Sequence, residues 1–218
     1  VALRNQLDRS LRADTIAGQY AKDNGLHDIV KSVDDTKAFD QYLIARHGQD
    51  LTANGIKTGR NAAQDAQLLK DLSPKYEAQA KALGEYNNKL LDKTVEYGLI
   101  SKDTSKYLKE KYPNYVPFDR IFSEGELSGI GNGAGPASLS KQTVIQRIKG
   151  SDRQVSSPLE SILAKTRDIH AQGERNLAAQ QIAKTIDLPG NPLSLKEIKP
   201  TETIGNRSTI SFIENGKR

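Results

Sequence analysis

Tyr112-Pro113-Asn114-Tyr115-Val116-Pro117-Phe118-Asp119-Arg120 is the stretch on which the reading of this chain turns. Each proline fixes its own φ and pushes the residue before it out of the α region. Two of them four residues apart predict an extended strap, not a helix. Tyr112, Pro113, Tyr115, Pro117 and Phe118 would form this structural strap, and its aromatic rings need apolar surface from elsewhere. Helices before and after it are the expected supply, with the strap bracing one against the other.

Upstream, Leu3, Leu7, Leu11, Ile16 and Tyr20 predict one helix from the start of the chain to about Asn24, stopped by Gly25. A short apolar patch from Leu26 to Val33 leads to Asp34-Asp35, which suits a helix start. That helix would carry Phe39, Leu43, Ile44, His47 and Leu51 and end at Asn54-Gly55. A modest helix is expected over 61–71. Ser73-Pro74 then reads as the N-cap and first residue of a separate helix. Its inward residues would be Tyr76, Ala80, Leu83, Leu90, Leu91 and Val95, and Gly98 its stop. Ser101 caps a shorter helix to about Lys111.

Downstream of the strap, the run from Ser128 to Pro136 is too rich in glycine to build core and reads as a flexible surface loop. A basic connector follows. Ser157, Pro158 and Glu160 form a capping-box start for the longest apolar-lined helix, with Leu159, Ile162, Leu163, Ile169, Leu177, Ile182 and Ile186 on its inner face. Leu188-Pro189-Gly190-Asn191-Pro192 ends it. In the tail, residues 208–213 alternate as a strand does, and Glu214-Asn215-Gly216-Lys217 is a hairpin-turn signal without a second strand after it.

At 218 residues with 36% hydrophobic and 27% charged content, the chain can bury one core under broad polar faces. No run approaches the roughly 20 apolar residues of a membrane span, so a soluble chain is expected. Cysteine is absent, which excludes disulfides, thiolate metal sites and a cysteine nucleophile. Methionine is absent as well, and the expectation is a piece of a longer polypeptide. The net charge of +5 is uneven: residues 1–140 hold 19 basic and 19 acidic side chains, residues 141–218 hold 13 and 8. Such an excess fits ordinary solubility, or a face for nucleic acid.

Few patterns carry chemistry. The glycines from Gly129 to Gly135 follow no strand, Ala134 interrupts their spacing, and Pro136 stands where a phosphate-binding helix would begin. His27, His47 and His170 show no metal-ligand spacing, and no metal or cofactor is expected. His170 and Glu174, four residues apart, read first as a hydrogen-bonded pair on a helix surface, and second as a proton-handling pair. No nucleophile elbow is present, and nothing requires an enzyme. Lys141, Arg147, Lys149 and Arg153 remain as a candidate phosphate-gripping, nucleic-acid-binding segment, although a structural role, with Arg153 and Arg175 fastening loops to helices through charge-assisted bonds, is the favoured reading.

A family resemblance rests on the order of several motifs. They are Tyr42-Leu43-Ile44-Ala45-Arg46-His47, Gly55-Ile56-Lys57-Thr58-Gly59, Glu96-Tyr97-Gly98-Leu99-Ile100-Ser101, and the strap itself. Lys149-Gly150-Ser151-Asp152-Arg153, Ser157-Pro158-Leu159-Glu160-Ser161-Ile162, Glu174-Arg175-Asn176 and the Ile210 to Lys217 segment continue the series. In this order the chain, from about Thr36 onward, resembles a helical domain of polyvalent proteins. These are very large proteins of bacteriophages and other mobile genetic elements, related to internal virion or ejection proteins. The resemblance implies a module without catalytic residues, travelling inside the virion and then in the host cytoplasm. Its implied partners are the other domains of its parent polypeptide, phage or host DNA, and other virion proteins.

The expected fold is mainly α, an irregular helical bundle with an extended Pro/aromatic strap, a Gly-rich loop and a short C-terminal β-strand. Its parts are an N-terminal helical half (1–122), a Gly/Ser-rich loop and basic connector (123–156), a long helix completing the same domain (157–190) and a tail with a truncated hairpin (191–218). The expected function is a non-enzymatic structural module serving packaging, DNA delivery or domain scaffolding. The alternative is a nucleic-acid-binding module using residues 141–153.

Overall fold

The computed structural model describes residues 2–56, 58–116, 157–198 and 209–217. Among these the chain is helical, with seven α-helices and no sheet. They are α1 (Ala2–Leu11), α2 (Ala13–Asp23), α3 (Leu26–Ser32), α4 (Thr36–Ala53), α5 (Ala62–Glu96), α6 (Lys102–Lys111) and α7 (Pro158–Ala183). A short 3₁₀ turn, Lys184–Asp187, extends α7. Among the described residues no helix is long and apolar enough to cross a membrane. The central member is α7, which touches α1, α2, α4 and α5. Helix α4 packs along α5, and their shared core holds Phe39, Tyr42, Leu43, Tyr76, Leu83 and Tyr86.

The capping chemistry acts where the sequence places it. Asp35 accepts the Ala38 amide, Ser101 that of Thr104, and Ser157 that of Glu160, each satisfying a donor the first helical turn leaves open. Gly25 closes α2 with φ of 82° and Gly98 closes α5 with φ of 72°, the left-handed geometry that favours glycine at a helix end.

Four expectations are corrected. The predicted first helix is two, broken at Arg12 (φ −106°, ψ 21°). Its leucine stripe is not the buried face: Leu7 is 43% and Leu11 86% exposed, while Ala13, Ala17 and Ala21 are buried. Small side chains let α2 lie close along α7, where leucines would hold it away. The five-residue step from Leu11 to Ile16 already leaves the helical stripe that three- and four-residue steps maintain.

Ser73-Pro74 starts nothing. Asn61 caps α5, accepting the Ala63 and Gln64 amides, and the helix runs through Pro74 without interruption for 35 residues. The proline deletes one backbone bond, and packing along α4 outweighs it; Ser73 instead meets the Tyr42 hydroxyl at 2.9 Å.

The strap, where described, is a turn. The Tyr115 amide donates to the Tyr112 carbonyl across Pro113-Asn114. Pro113 serves as the first central turn residue, for which its fixed φ is suited. Tyr112 is buried as anticipated, Val116 is buried as well, and Pro117 and Phe118 lie outside the described residues. So do the Gly-rich loop and Lys141, Arg147, Lys149 and Arg153.

The C-terminal strand does not form among residues 209–217. The turn does: Asn215 and Gly216 take φ of 51° and 75°, and Glu214 and Lys217 exchange backbone bonds. With no strand beside it among the described residues, the backbone of Ile213 bonds to amide side chains of α7 instead.

Two glycines of opposite role test this architecture. Gly18 lies inside α2 with open space around it, so Gly18→Ala is expected to add about 0.5–1 kcal/mol of stability. Gly25→Ala, at positive φ, is expected to remove about 1–2 kcal/mol. Urea unfolding of the two variants measures both.

Candidate functional site

A stripe at four-residue spacing, Ile162, Thr166, His170 and Glu174, faces inward along α7. Its first member is apolar and the rest are polar, so the helix buries hydrogen-bonding groups that each need a partner. Thr166 donates to the Ile162 carbonyl at 2.8 Å and meets the Tyr86 hydroxyl at 2.7 Å. With its proton committed to the carbonyl, Thr166 accepts from Tyr86.

Glu174 has no exposed surface. Arg9 of α1 grips it with two bonds, Nη2 to Oε1 at 2.6 Å and Nε to Oε2 at 3.0 Å. Gln6, one turn earlier, donates to Oε2 at 2.7 Å and to the Glu174 backbone carbonyl at 3.1 Å. Tyr97, just past α5, donates to Oε1 at 3.0 Å. Burial pushes this carboxyl up, but the bonds from Arg9, Gln6 and Tyr97 outweigh it and hold the group below the usual carboxylate range.

The Tyr97 hydroxyl also lies 2.7 Å from His170 Nδ1. Since its proton goes to Glu174, the histidine is the donor here. The chain reads His170 Nδ1–H to Tyr97 Oη–H to Glu174. This tautomer leaves His170 Nε2 as a bare acceptor, with no hydrogen-bond partner among the described residues. An orphaned acceptor costs less than an orphaned N–H would. The Tyr20 ring packs on the imidazole at 4.7 Å between centroids. Burial first, then the positive charges of Lys93 and Arg9 against the pull of Glu174, hold His170 down at about 4, so it is neutral at pH 7.

Gly173 makes the arrangement possible. The Tyr97 ring lies flush on its Cα, and a Cβ there would fall inside the ring. One turn further along α7, Asn176 donates to the carbonyls of Tyr97 and Ile213 and accepts the Ile213 amide at 2.7 Å. Gln180 donates to the same Ile213 carbonyl. The Gly216 amide reaches the Gly98 carbonyl.

A second polar cluster holds the turn at residues 112–116. Asp50 accepts the Asn114 amide and side chain at 2.7 and 2.9 Å, Arg46 donates twice to Asn114 Oδ1, and Asn87 donates to the Tyr115 carbonyl. His47 is buried edge-on to the rings of Tyr112 and Tyr115, and burial holds it down at about 3.

Of the residues singled out by sequence, the structure places His170 and Glu174 together, but not as a surface pair. Both are buried and joined through Tyr97. His27 is exposed and His47 sits in the other cluster. Among the described residues, no group of three His, Asp or Glu side chains could hold a metal ion. Gln6, Arg9 and Gly173 escaped the sequence reading, and Tyr97 and Asn176 entered it only within motifs and without these roles, because each partner lies far away along the chain. What the cluster can do chemically is hold one proton chain away from solvent and one ion pair at the edge of the core. Comparison with protein-family models, with curated proteins and with solved structures finds no match for this chain.

Gly173→Ala is expected to cost about 3 kcal/mol by driving a methyl into the Tyr97 ring, measured by urea unfolding. Acid should also destabilise the fold. Unfolded histidines titrate at about 6.5, while the folded values are about 4 and about 3, so below that point the unfolded chain binds the extra protons. Stability should therefore fall as pH drops from about 6.5 to about 4 for His170 and on to about 3 for His47, by at most about 1.4 kcal/mol per unit per histidine. His170→Gln should flatten that slope, and urea midpoints across this range read it.

Proposed function

We propose that this chain is a non-enzymatic helical module that acts as a structural scaffold within a large polypeptide of bacteriophage or mobile-element origin. Its role would lie in packaging, DNA delivery or the spacing of neighbouring domains. One observation carries the reading. Two buried polar side chains of α7 fasten three separate stretches, α1 through Glu174, and the Tyr97-Gly98 corner and the Ile213 backbone through Asn176. Groups committed in this way support a load-holding helix better than a reactive cleft, which needs convergent polar groups open to a substrate. The motif order from Tyr42 to Lys217 supports the phage-derived setting.

The discriminating measurement is binding of the purified chain to a labelled random DNA duplex across a salt series. The scaffold predicts no binding even at low salt, together with a single cooperative melt. Binding in the range of about 10⁻⁴–10⁻⁶ M that collapses with salt would overturn it in favour of a nucleic-acid module. In that case charge reversal at Arg147 and Lys149 should weaken binding to every sequence alike.

A further inference from the structure

Helix α1 is attached in an unusual manner. None of its described side chains is buried, and its leucines Leu7 and Leu11 are exposed. It lies along α7, and the side chains that tie it there are polar, Gln6 and Arg9, which reach the buried Glu174. The Arg9 side chain is itself 49% exposed, so the ion pair sits at the edge of the core. Nothing in Ser10-Leu11-Arg12-Ala13-Asp14 breaks a helix: there is no glycine or proline, and Arg12 pairs with Asp8 at 2.9 Å as neighbouring turns do. The break at Arg12 falls between two helices that both lie against α7.

We propose that α1 is an exchangeable arm, and that the Glu174 cradle receives Arg9 from a second copy of this chain. Straightening at Arg12 joins α1 and α2 into one helix over residues 2–23, lifting the arm off its own α7. The vacated carboxylate keeps its need for a guanidinium, since an unpaired buried charge is costly. A second copy offers the same Gln6 and Arg9 in the same geometry, so exchange requires no new complementary surface, which is what makes arm swapping a low-cost route to dimers. The stripe Leu3, Leu7, Leu11 has helical spacing, and none of the three is buried in the bent form. In the exchanged dimer two straightened arms run side by side and cover it. The occupant is thus the chain's own second copy, chosen by a cradle that α1 already fits. This inference stands on the α1–α7 geometry and not on the scaffold reading.

Charge reversal gives a selective test. Arg9→Glu places two carboxylates together within its own monomer, and Glu174→Arg places two guanidiniums together. Mixed, the two variants match at both cradles of an exchanged dimer. The unaltered Arg9 of one copy meets the unaltered Glu174 of the other, and the two altered positions form the same pair with its charges reversed. Light scattering after size exclusion at submillimolar concentration should show a heterodimer only in the mixture, with each variant alone monomeric. Two folded variants whose mixture stays monomeric would overturn the proposal. Should Glu174→Arg fail to fold by circular dichroism, the unaltered chain decides. Refolded at submillimolar concentration, tagged and untagged copies should co-purify, and Arg9→Glu copies should not. An unaltered chain that refolds only as monomer under those conditions rules the exchange out.

Discussion

A carboxylate without exposed surface has to be neutralised where it sits, and the packing around α7 follows from how Glu174 meets that demand. An exposed pair such as Arg167 with Asp14, both about two-thirds exposed, contributes little, because water screens it and two long side chains must be held still. Removing one partner of a buried pair is far costlier, because the remaining charge is left desolvated. Arg9, Gln6 and Tyr97 therefore have to converge, and they bring two elements with them: α1, and the corner after α5. Tyr97 can come near enough only because position 173 carries no side chain. The buried charge, the glycine and the ring are one constraint.

The same helix satisfies the hydrogen-bonding groups of backbone that has no secondary structure. Ile213 is not in a sheet, and its amide and carbonyl still find partners, in Asn176 and Gln180. Tyr97 ends α5 with its carbonyl satisfied by Asn176. In the second polar cluster, Asp50, Arg46 and Asn87 perform this service for the turn around Asn114. Amide and carboxylate side chains on helices thus replace a ladder of strands. A polar inner face on α7 is for that reason compatible with a tightly joined fold, and the scaffold proposal rests on it.

Helix ends were the most legible feature. Asp35, Ser101 and Ser157 cap where read, and Gly25, Gly55 and Gly98 take positive φ at helix ends. Capping is local: a side chain satisfies an amide three residues away, and no distant residue is needed. Ser73-Pro74 shows the limit of that reading, because a proline compatible with a helix start is also tolerated inside a helix when the neighbouring turn is held by packing. The leucine stripe of α1 misled in the same way. Periodicity finds a face, and what covers that face is decided elsewhere. His170 and Glu174 were visible as a pair four residues apart, but the burial of Glu174 depended on Arg9, 165 residues away.

By itself, the sequence determined the helical class, most of the caps and stops, and the Asn215-Gly216 turn, since all of these depend on backbone preferences and contacts a few residues long. Only the tertiary structure decided that α1 and α2 separate at Arg12, that α5 runs unbroken through Pro74, and that residues 112–116 turn instead of extending. It alone showed that Glu174 is buried beneath Arg9. The reason is physical: the cost of a buried charge, or the gain from a close alanine contact, belongs to pairs of residues that meet only after the chain has folded.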